Sequence, residues 1–485
     1  MSGKNQWNSI FTFILAMMGL TIGIGNIWRF SYIVYSNGGD SFFIPYLIAI
    51  LIMGIPFLIL EYGLGFSSKK SFSKLLHDIR PEFEVIAWIL VLLVFIVVIY
   101  YMVILSWDFT YLINSINFGW GNDPASFFIN NVGGSDNFAN ATTLIIPSLI
   151  CILILWAIFW FVSYRDVDKG IGRISTILIP LLFVIMLFIF INAITLPGAH
   201  LGIKTLLTPD WSSLTDINIW LAAFGQTIFT LSIGQAMVYT YASYLPKNTK
   251  LIDEALLIVV SNSIYEIFIA IGVFSILGYM SFTSSIPMDE LISEGTGLIF
   301  IVFPKIFNEM GLMGHILAPL LFLAILFAGI TSAFALFEPL LSSLCEKFGL
   351  NRRRGVTILA TVACICSIVF ATGIGSYLVE IIDKFVNHFG ILILIGVQSI
   401  IFGWFYGVEK VIPYLNEFST FKVGKKWVFI IKYILPILLI VIWVLGLVEI
   451  FKGSDLFEVI VDLFITLVVV GLAVLLTKLN HSNPT

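Results

Sequence analysis

Charge is what this chain of 485 residues has least of: Lys, Arg, Asp and Glu together make up 11%, against about 25% in soluble domains. A water-soluble globule in which 59% of residues are hydrophobic would expose large apolar patches. The composition therefore excludes a soluble protein and selects a polytopic membrane one. Only four cysteines are present. Cys151, Cys345, Cys364 and Cys366 lie in or beside apolar runs, with neither a disulfide framework nor metal-type spacing. The five histidines, His77, His200, His315, His388 and His481, form no metal motif, and no HExxH is present. No catalytic pair emerges, so an enzyme is not expected. The expected partner is the lipid bilayer, not nucleic acid. The first apolar run is too long for a signal peptide and lacks a small-residue cleavage site.

What the chain has instead is long apolar runs. A membrane helix needs roughly 20 such residues. Twelve candidates, numbered here as segments 1 to 12, lie near 10–34, 40–66, 84–113, 142–163, 173–196, 218–244, 252–282, 315–346, 355–373, 376–406, 427–449 and 456–478. Lys and Arg should collect in the cytoplasmic loops. One set of alternate loops and ends, from Lys4 to Lys478, holds 20 of the 25 Lys and Arg residues. The other set holds Arg29, Lys204, Lys305, Lys384 and Lys452. Both termini are therefore expected in the cytoplasm of a multi-pass cell-membrane protein. The loops around 114–141 and 283–314 are expected outside, the latter with short helices near 286–313.

The apolar segments contain few polar exceptions: Arg29, Glu61, Tyr100, Tyr101, Gln226, Thr230, Ser232, Gln235, Asn262, Glu266, Thr331, Ser332 and Asp383. Ionisable groups in a membrane are expensive and mark pathways or sites by default. Singly, a Ser or Thr often bonds only its own backbone, and a Glu can simply lock two helices. Combinations say more. Asn262 and Glu266 share one face of segment 7, and Ala328, Thr331 and Ser332 share one face of segment 8. Both faces offer the oxygen ligands that hard cations prefer. Segment 1 carries "GLTIGIGNIWRF", with Gly23 and Gly25 at its centre, and segment 6 carries "FTLSIGQA" around Gly234. Glycine is poor in helix interiors. Broken helices in corresponding positions of two halves point to a transporter's substrate site. Segments 1–5 and 6–10 become candidate repeats; five is odd, so the second copy is inverted, and segments 11 and 12 are left over. The units expected are 1–206, 207–406 and 407–485.

The motifs "GIGNIWRF", "NGGDSFFIPY", "GIPFLILEYGLG", "IYYMVILSW", "AAFGQTIFTLS", "YTYASY" and "FAGITSAFALFEP" stand in order along the chain. In these the sequence resembles the neurotransmitter:sodium symporter family, particularly its prokaryotic amino-acid transporters, from Trp7 to about segment 12. The resemblance implies two sodium ions. The first would take the Thr21 carbonyl, Asn26, Thr230 and Asn262. The second would take the Gly19, Ile22 and Ala328 carbonyls with Thr331 and Ser332. The substrate, a neutral L-amino acid, would meet Ile24, Gly25 and Tyr101 through its carboxylate, and carbonyls near Thr21, Phe229 and Thr230 through its amino group. Leu20, Val97, Phe229, Ser232, Gln235, Ser332, Ala335 and Leu336 would line the rest of the pocket. Arg29 and Asp383 would form an outer gate; Lys4, Trp7, Tyr244 and Glu346 would close the cytoplasmic side. Glu266 falls where animal members carry a serine and use chloride, so the resemblance implies chloride independence. Departures from the family pattern include Leu20, Thr21, Ser31 and Gln235, with Lys4 and Glu346 where Arg and Asp are common. The alternatives are a proton-coupled carrier of related fold, a sodium-dependent sensor and a channel. Asn262, Thr331 and Ser332 favour sodium, and paired gates favour occlusion over a continuous pore.

Overall fold

The computed structural model describes residues 6–288, 297–451 and 456–479. Lys4, assigned to the cytoplasmic gate, lies outside the described residues. Among those described the chain is helical without strands; one isolated bridge joins Leu144 and Thr372. With 1.5 Å of rise per residue, about 18 residues are the least that cross the hydrocarbon layer. Ten helices among the described residues pass that test of length and apolarity, and a bent pair, Ile10–Thr21 with Gly25–Ser36, makes an eleventh. Segment 6 is two shorter helices, Ile217–Leu231 and Met237–Ser243. Of 286–313, where short helices are expected, Leu298–Val302 and Phe303–Glu309 are helical, and 289–296 lie outside the described residues.

Burial ranks the helices. The apolar cores of Pro81–Asn114 (segment 3) and Leu312–Phe348 (segment 8) are 78% buried, whereas that of Leu456–Lys478 (segment 12) is 17% buried. Segments 3 and 8 therefore form the centre, and segment 12 shows its apolar sides outward, as lipid contact requires. Segment 8 packs on segment 3, on Arg173–Ile194 (segment 5) and on the first half of segment 1. The second half of segment 1 packs on Leu251–Ser284 (segment 7), and both pieces of segment 6 pack on segment 2. Both breaks thus lie against segments that carry polar groups.

Each break has a local cause. The helix Ile10–Thr21 ends at Ile22, whose extended backbone (φ −87°, ψ 91°) cannot continue it. A helix leaves its last carbonyls without intrahelical partners. Here the Met18 carbonyl takes the Ile22 N–H at 2.7 Å and the Gly19 carbonyl takes the Ser332 hydroxyl at 2.8 Å. Side chains are excluded at Gly25, where a Cβ would stand 2.2 Å from the Phe229 ring. In segment 6, Ser232 (φ 51°), Gly234 (φ 73°) and Ala236 (φ 61°) turn left-handed. For the two non-glycines this costs roughly 1–2 kcal/mol each. Irregular backbone at membrane depth survives only where protein satisfies it. The Gly234 N–H donates to Glu61 Oε2 at 3.0 Å, and its carbonyl accepts from Gln398 Nε2 at 2.7 Å.

Candidate functional site

The two breaks bring polar groups from five segments together. Asn26, the second residue of the restarted helix, reaches across the bundle. Its Nδ2 donates to Thr230 Oγ1 and to Asn262 Oδ1, both at 3.1 Å. Asn262 Nδ2 donates to the same Thr230 oxygen at 2.7 Å, and the Gly23 N–H donates to Asn26 Oδ1 at 2.9 Å. Which amide end is oxygen follows from this network. Segments 1, 6 and 7 thus meet at one polar point, with Asn26, Thr230 and Asn262 all buried, as is Thr21.

A second point lies between segments 1 and 8. Ser332 Oγ donates to the carbonyl of Gly19 at 2.8 Å and to that of Ala328 at 3.2 Å, and lies 3.5 Å from that of Ile22. Thr331 Oγ1 bonds the Ala328 carbonyl at 2.9 Å. Three carbonyls and two hydroxyls converge, with no carboxylate or imidazole. Such an all-oxygen, uncharged set suits a hard monovalent cation; the hydroxyl protons now point at the carbonyls and would turn away to admit it. Gly19 lets the helices approach this closely, since a Cβ there would lie 2.8 Å from Thr331 Cβ.

Tyr101 joins the two points. Its hydroxyl accepts the Ile24 N–H at 3.3 Å, and a Cβ on Gly23 would lie 3.1 Å from that hydroxyl and 3.1 Å from Ser332 Oγ. The Phe229 ring covers Gly25, and the Arg29 guanidinium sits 4.6 Å from the Phe229 centroid. Gly25 and Arg29, one turn apart on the restarted helix, therefore both face the Phe229 ring. Asp383 Oδ1 accepts from Tyr100 Oη at 2.7 Å and from Asn387 Nδ2 at 2.8 Å. Leu20, Val97, Ser232, Gln235, Ala335 and Leu336 are all buried. Glu266, fully buried beside the first polar point, accepts from the Tyr46 hydroxyl and from Gln226 Nε2 at 2.8 Å.

At the other end of the bundle Trp7 is clamped under segment 6. Its Nε1 donates to the Tyr241 carbonyl at 3.0 Å and its backbone N–H to the Tyr244 carbonyl at 3.1 Å. Glu346 accepts the Ser71 N–H at 2.5 Å, tying segment 8 to the loop helix Phe72–Ile79. Tyr244 Oη donates to Glu338 at 3.3 Å, a partner not among the expected residues. Arg352 grips Glu338 with both terminal nitrogens, at 3.0 and 2.5 Å, while its Nε donates to the Arg165 carbonyl at 2.8 Å. This buried fork joins segments 4, 6, 8 and 9. Sequence reading passed over it although Glu338 stands inside "FAGITSAFALFEP" and Arg352 opens an Arg triplet. Asp108 was also passed over. It is fully buried in segment 3, and neither carboxylate oxygen has a hydrogen-bond partner among the described residues.

A bundle of apolar helices, two of them broken around oxygen-rich points, defines a multi-pass membrane protein with a polar core. The family model for the sodium:neurotransmitter symporter family matches residues 4–142 and 122–474, and the chain belongs to this family. An uncharacterized sodium-dependent transporter of Methanocaldococcus jannaschii is 37% identical over 440 residues, covering 90% of this chain and 89% of that protein. A sodium-dependent serotonin transporter of Drosophila melanogaster is 26% identical over 478 residues, covering 92% of this chain and 76% of that protein. The family and these relatives are transporters, and the chain is a sodium-dependent transporter rather than an enzyme.

Proposed function

We propose that the protein imports a neutral L-amino acid together with sodium, by alternating access and without chloride. The observation that carries this reading is the meeting of Asn26, Thr230 and Asn262 beside the Ile24 N–H and the Tyr101 hydroxyl. A sodium ion held by Thr21, Asn26, Thr230 and Asn262 would touch the carboxylate of a substrate seated on Ile24, Gly25 and Tyr101. Each ligand then raises the other's affinity reciprocally. The second ion would sit among Gly19, Ile22, Ala328, Thr331 and Ser332, where it holds segment 1 to segment 8. Leu20, Val97, Phe229, Ser232, Gln235, Ala335 and Leu336 form the side-chain wall. None of these wall residues is a cation, and Arg29 meets the wall at the Phe229 ring, which disfavours acidic substrates.

In this reading the chain crosses the cell membrane twelve times with both termini inside. Residues 1–206 and 207–406 are inverted repeats, and 407–485 add segments 11 and 12. Arg29 and Asp383 close the outer side over Phe229. Lys4, Trp7, Tyr244 and Glu346 close the inner side, with the Glu338–Arg352 fork beside them. Glu266 supplies the negative charge that chloride provides in animal members. Asn26→Ala and Thr331→Ala should each weaken sodium affinity along with substrate binding. Unchanged half-saturation for sodium in both variants would refute the ion-site assignment.

A further inference from the structure

The turn between segments 4 and 5 opens on a cleft of about 660 Å³ lined by four cations, Arg165, Lys169, Arg173 and Arg353, and two carboxylates, Asp166 and Asp168. Two carboxylates against four cations leave an excess of positive charge. Asp168 is committed to Asn8, accepting its N–H at 2.9 Å and its side-chain amide at 2.5 Å. The ion pairs found among the described residues engage Lys70, Lys74, His77, Lys347, Arg352 and Lys432, and none of the four cleft cations. Two of the four are held on aromatic rings: Arg165 lies 4.6 Å from the Phe161 centroid and Arg353 5.3 Å from that of Tyr164. The rim is apolar and outward-facing. Ile177 lines the cleft, and Phe161, Ile177 and Ile358 are about half exposed on the flanks of segments 4, 5 and 9. Cations above an exposed apolar flank suit one kind of ligand, a phosphate headgroup with acyl chains. A soluble anion has no use for the flank.

We propose that this cleft binds the headgroup of an anionic phospholipid. The floor of the cleft gives that binding a consequence. Thr12, on the first half of segment 1, lines it, and Asp168 holds Asn8, the residue after Trp7. Gly172 sits so close that a Cβ would lie 2.7 Å from Thr12 and 3.4 Å from Trp7. A phosphate drawing Arg165, Lys169, Arg173 and Arg353 together would tie segments 4, 5 and 9 around the base of segment 1 and favour its closed position. This second part rests on the symport reading; the binding does not.

The test is native mass spectrometry of the purified full chain titrated with phosphatidylglycerol, with phosphatidylcholine as reference. In detergent it is independent of membrane orientation and of transport. A juxtamembrane cation contributes about 1 kcal/mol toward an anionic lipid, roughly fivefold in affinity. Arg165→Gln/Arg353→Gln and Lys169→Gln/Arg173→Gln should each weaken phosphatidylglycerol binding roughly 25-fold on that scale. All four side chains are exposed, so folding should survive, and two independent pairs guard against failure of either. Lys425→Gln/Lys426→Gln removes two exposed cations at another turn and should change little. Equal loss in that control would mean general surface charge and overturn the proposal. Displacement of the lipid by millimolar inorganic phosphate would make the cleft a soluble-anion site and overturn it as well. If lipid binds as expected and phosphatidylglycerol in nanodiscs leaves substrate affinity unchanged, the coupling to segment 1 fails while the binding site stands.

Discussion

Alanine at Gly19 puts one methyl group at the point where segments 1 and 8 come closest. The new Cβ would lie 2.8 Å from Thr331 Cβ, 3.0 Å from Thr331 Oγ1 and 3.3 Å from Ile179 Cδ1. Carbon atoms pack at about 3.5–4.0 Å, so the helices must part by roughly 1 Å. The Gly19 carbonyl and the Thr331 hydroxyl belong to the same oxygen set, and hard cations tolerate only a few tenths of an ångström in ligand distance. Overpacking of this kind costs about 1–3 kcal/mol. The cost falls on the ion-bound arrangement, where the two helices must touch. The helix-propensity gain of alanine over glycine is common to both states and cancels. The half-saturating sodium concentration should therefore rise roughly 5- to 150-fold, at about 1.4 kcal/mol per tenfold. Sodium titrations of labelled-substrate binding to purified protein read this directly. Gly272→Ala is the control, because its Cβ would meet only Phe190, at 3.6 Å. An unchanged sodium midpoint in Gly19→Ala, or an equal shift in Gly272→Ala, would refute the reasoning.

Removing one partner of a buried ion pair costs about 3–5 kcal/mol, more than removing both. Arg352→Leu should therefore lower the thermal midpoint strongly, and Glu338→Leu/Arg352→Leu should recover much of the loss; a double variant no more stable than the single would contradict the buried fork. For Glu266→Ser, uptake should come to require chloride, and equal uptake in gluconate and chloride would count against the carboxylate's role. Asp78 lies on a loop helix outside the membrane; burial pushes its carboxyl up, but bonds to Lys70 and Lys74 outweigh this and hold it below the usual value. A carboxyl lowered in the folded state stabilises above its unfolded pKa, and that contribution disappears as the pH falls through the folded one. The difference in thermal midpoint between wild type and Asp78→Asn should accordingly be present at neutral pH and vanish in acid; a difference constant with pH would rule out the pairing.

The parts of the site legible in the sequence are those written as short-range pattern. Asn262 and Glu266 are four apart, as are Ala328 and Ser332, and helical periodicity puts each pair on one face. The glycines of "GIGN" and of "SIGQA" announced interruptions because helices tolerate them poorly. Partners distant along the chain were not legible. Glu61 and Gln398 hold the two sides of Gly234, yet lie 173 and 164 residues away from it. Nothing local marks either as a support for broken backbone. The left-handed Ser232 and Ala236 were hidden for a similar reason, since their side chains favour other conformations and only the surrounding packing imposes this one. Glu338 and Arg352 stand on opposite sides of a tight turn between two helices, and their approach depends on how segments 8 and 9 fold back. Asp108 stands between Ser106 and Thr110 in "ILSWDFTYL", hydroxyls that bond their own helix carbonyls, and only its burial sets it apart.

The central claim is that sodium and a neutral amino acid cross the membrane together. Its most direct test is uptake of a panel of labelled neutral amino acids into proteoliposomes, under an inward sodium gradient or an equal potassium gradient. The account predicts accumulation of one group of these amino acids with sodium and none with potassium. Uptake driven by a pH gradient alone, or equal in the two salts, would contradict it.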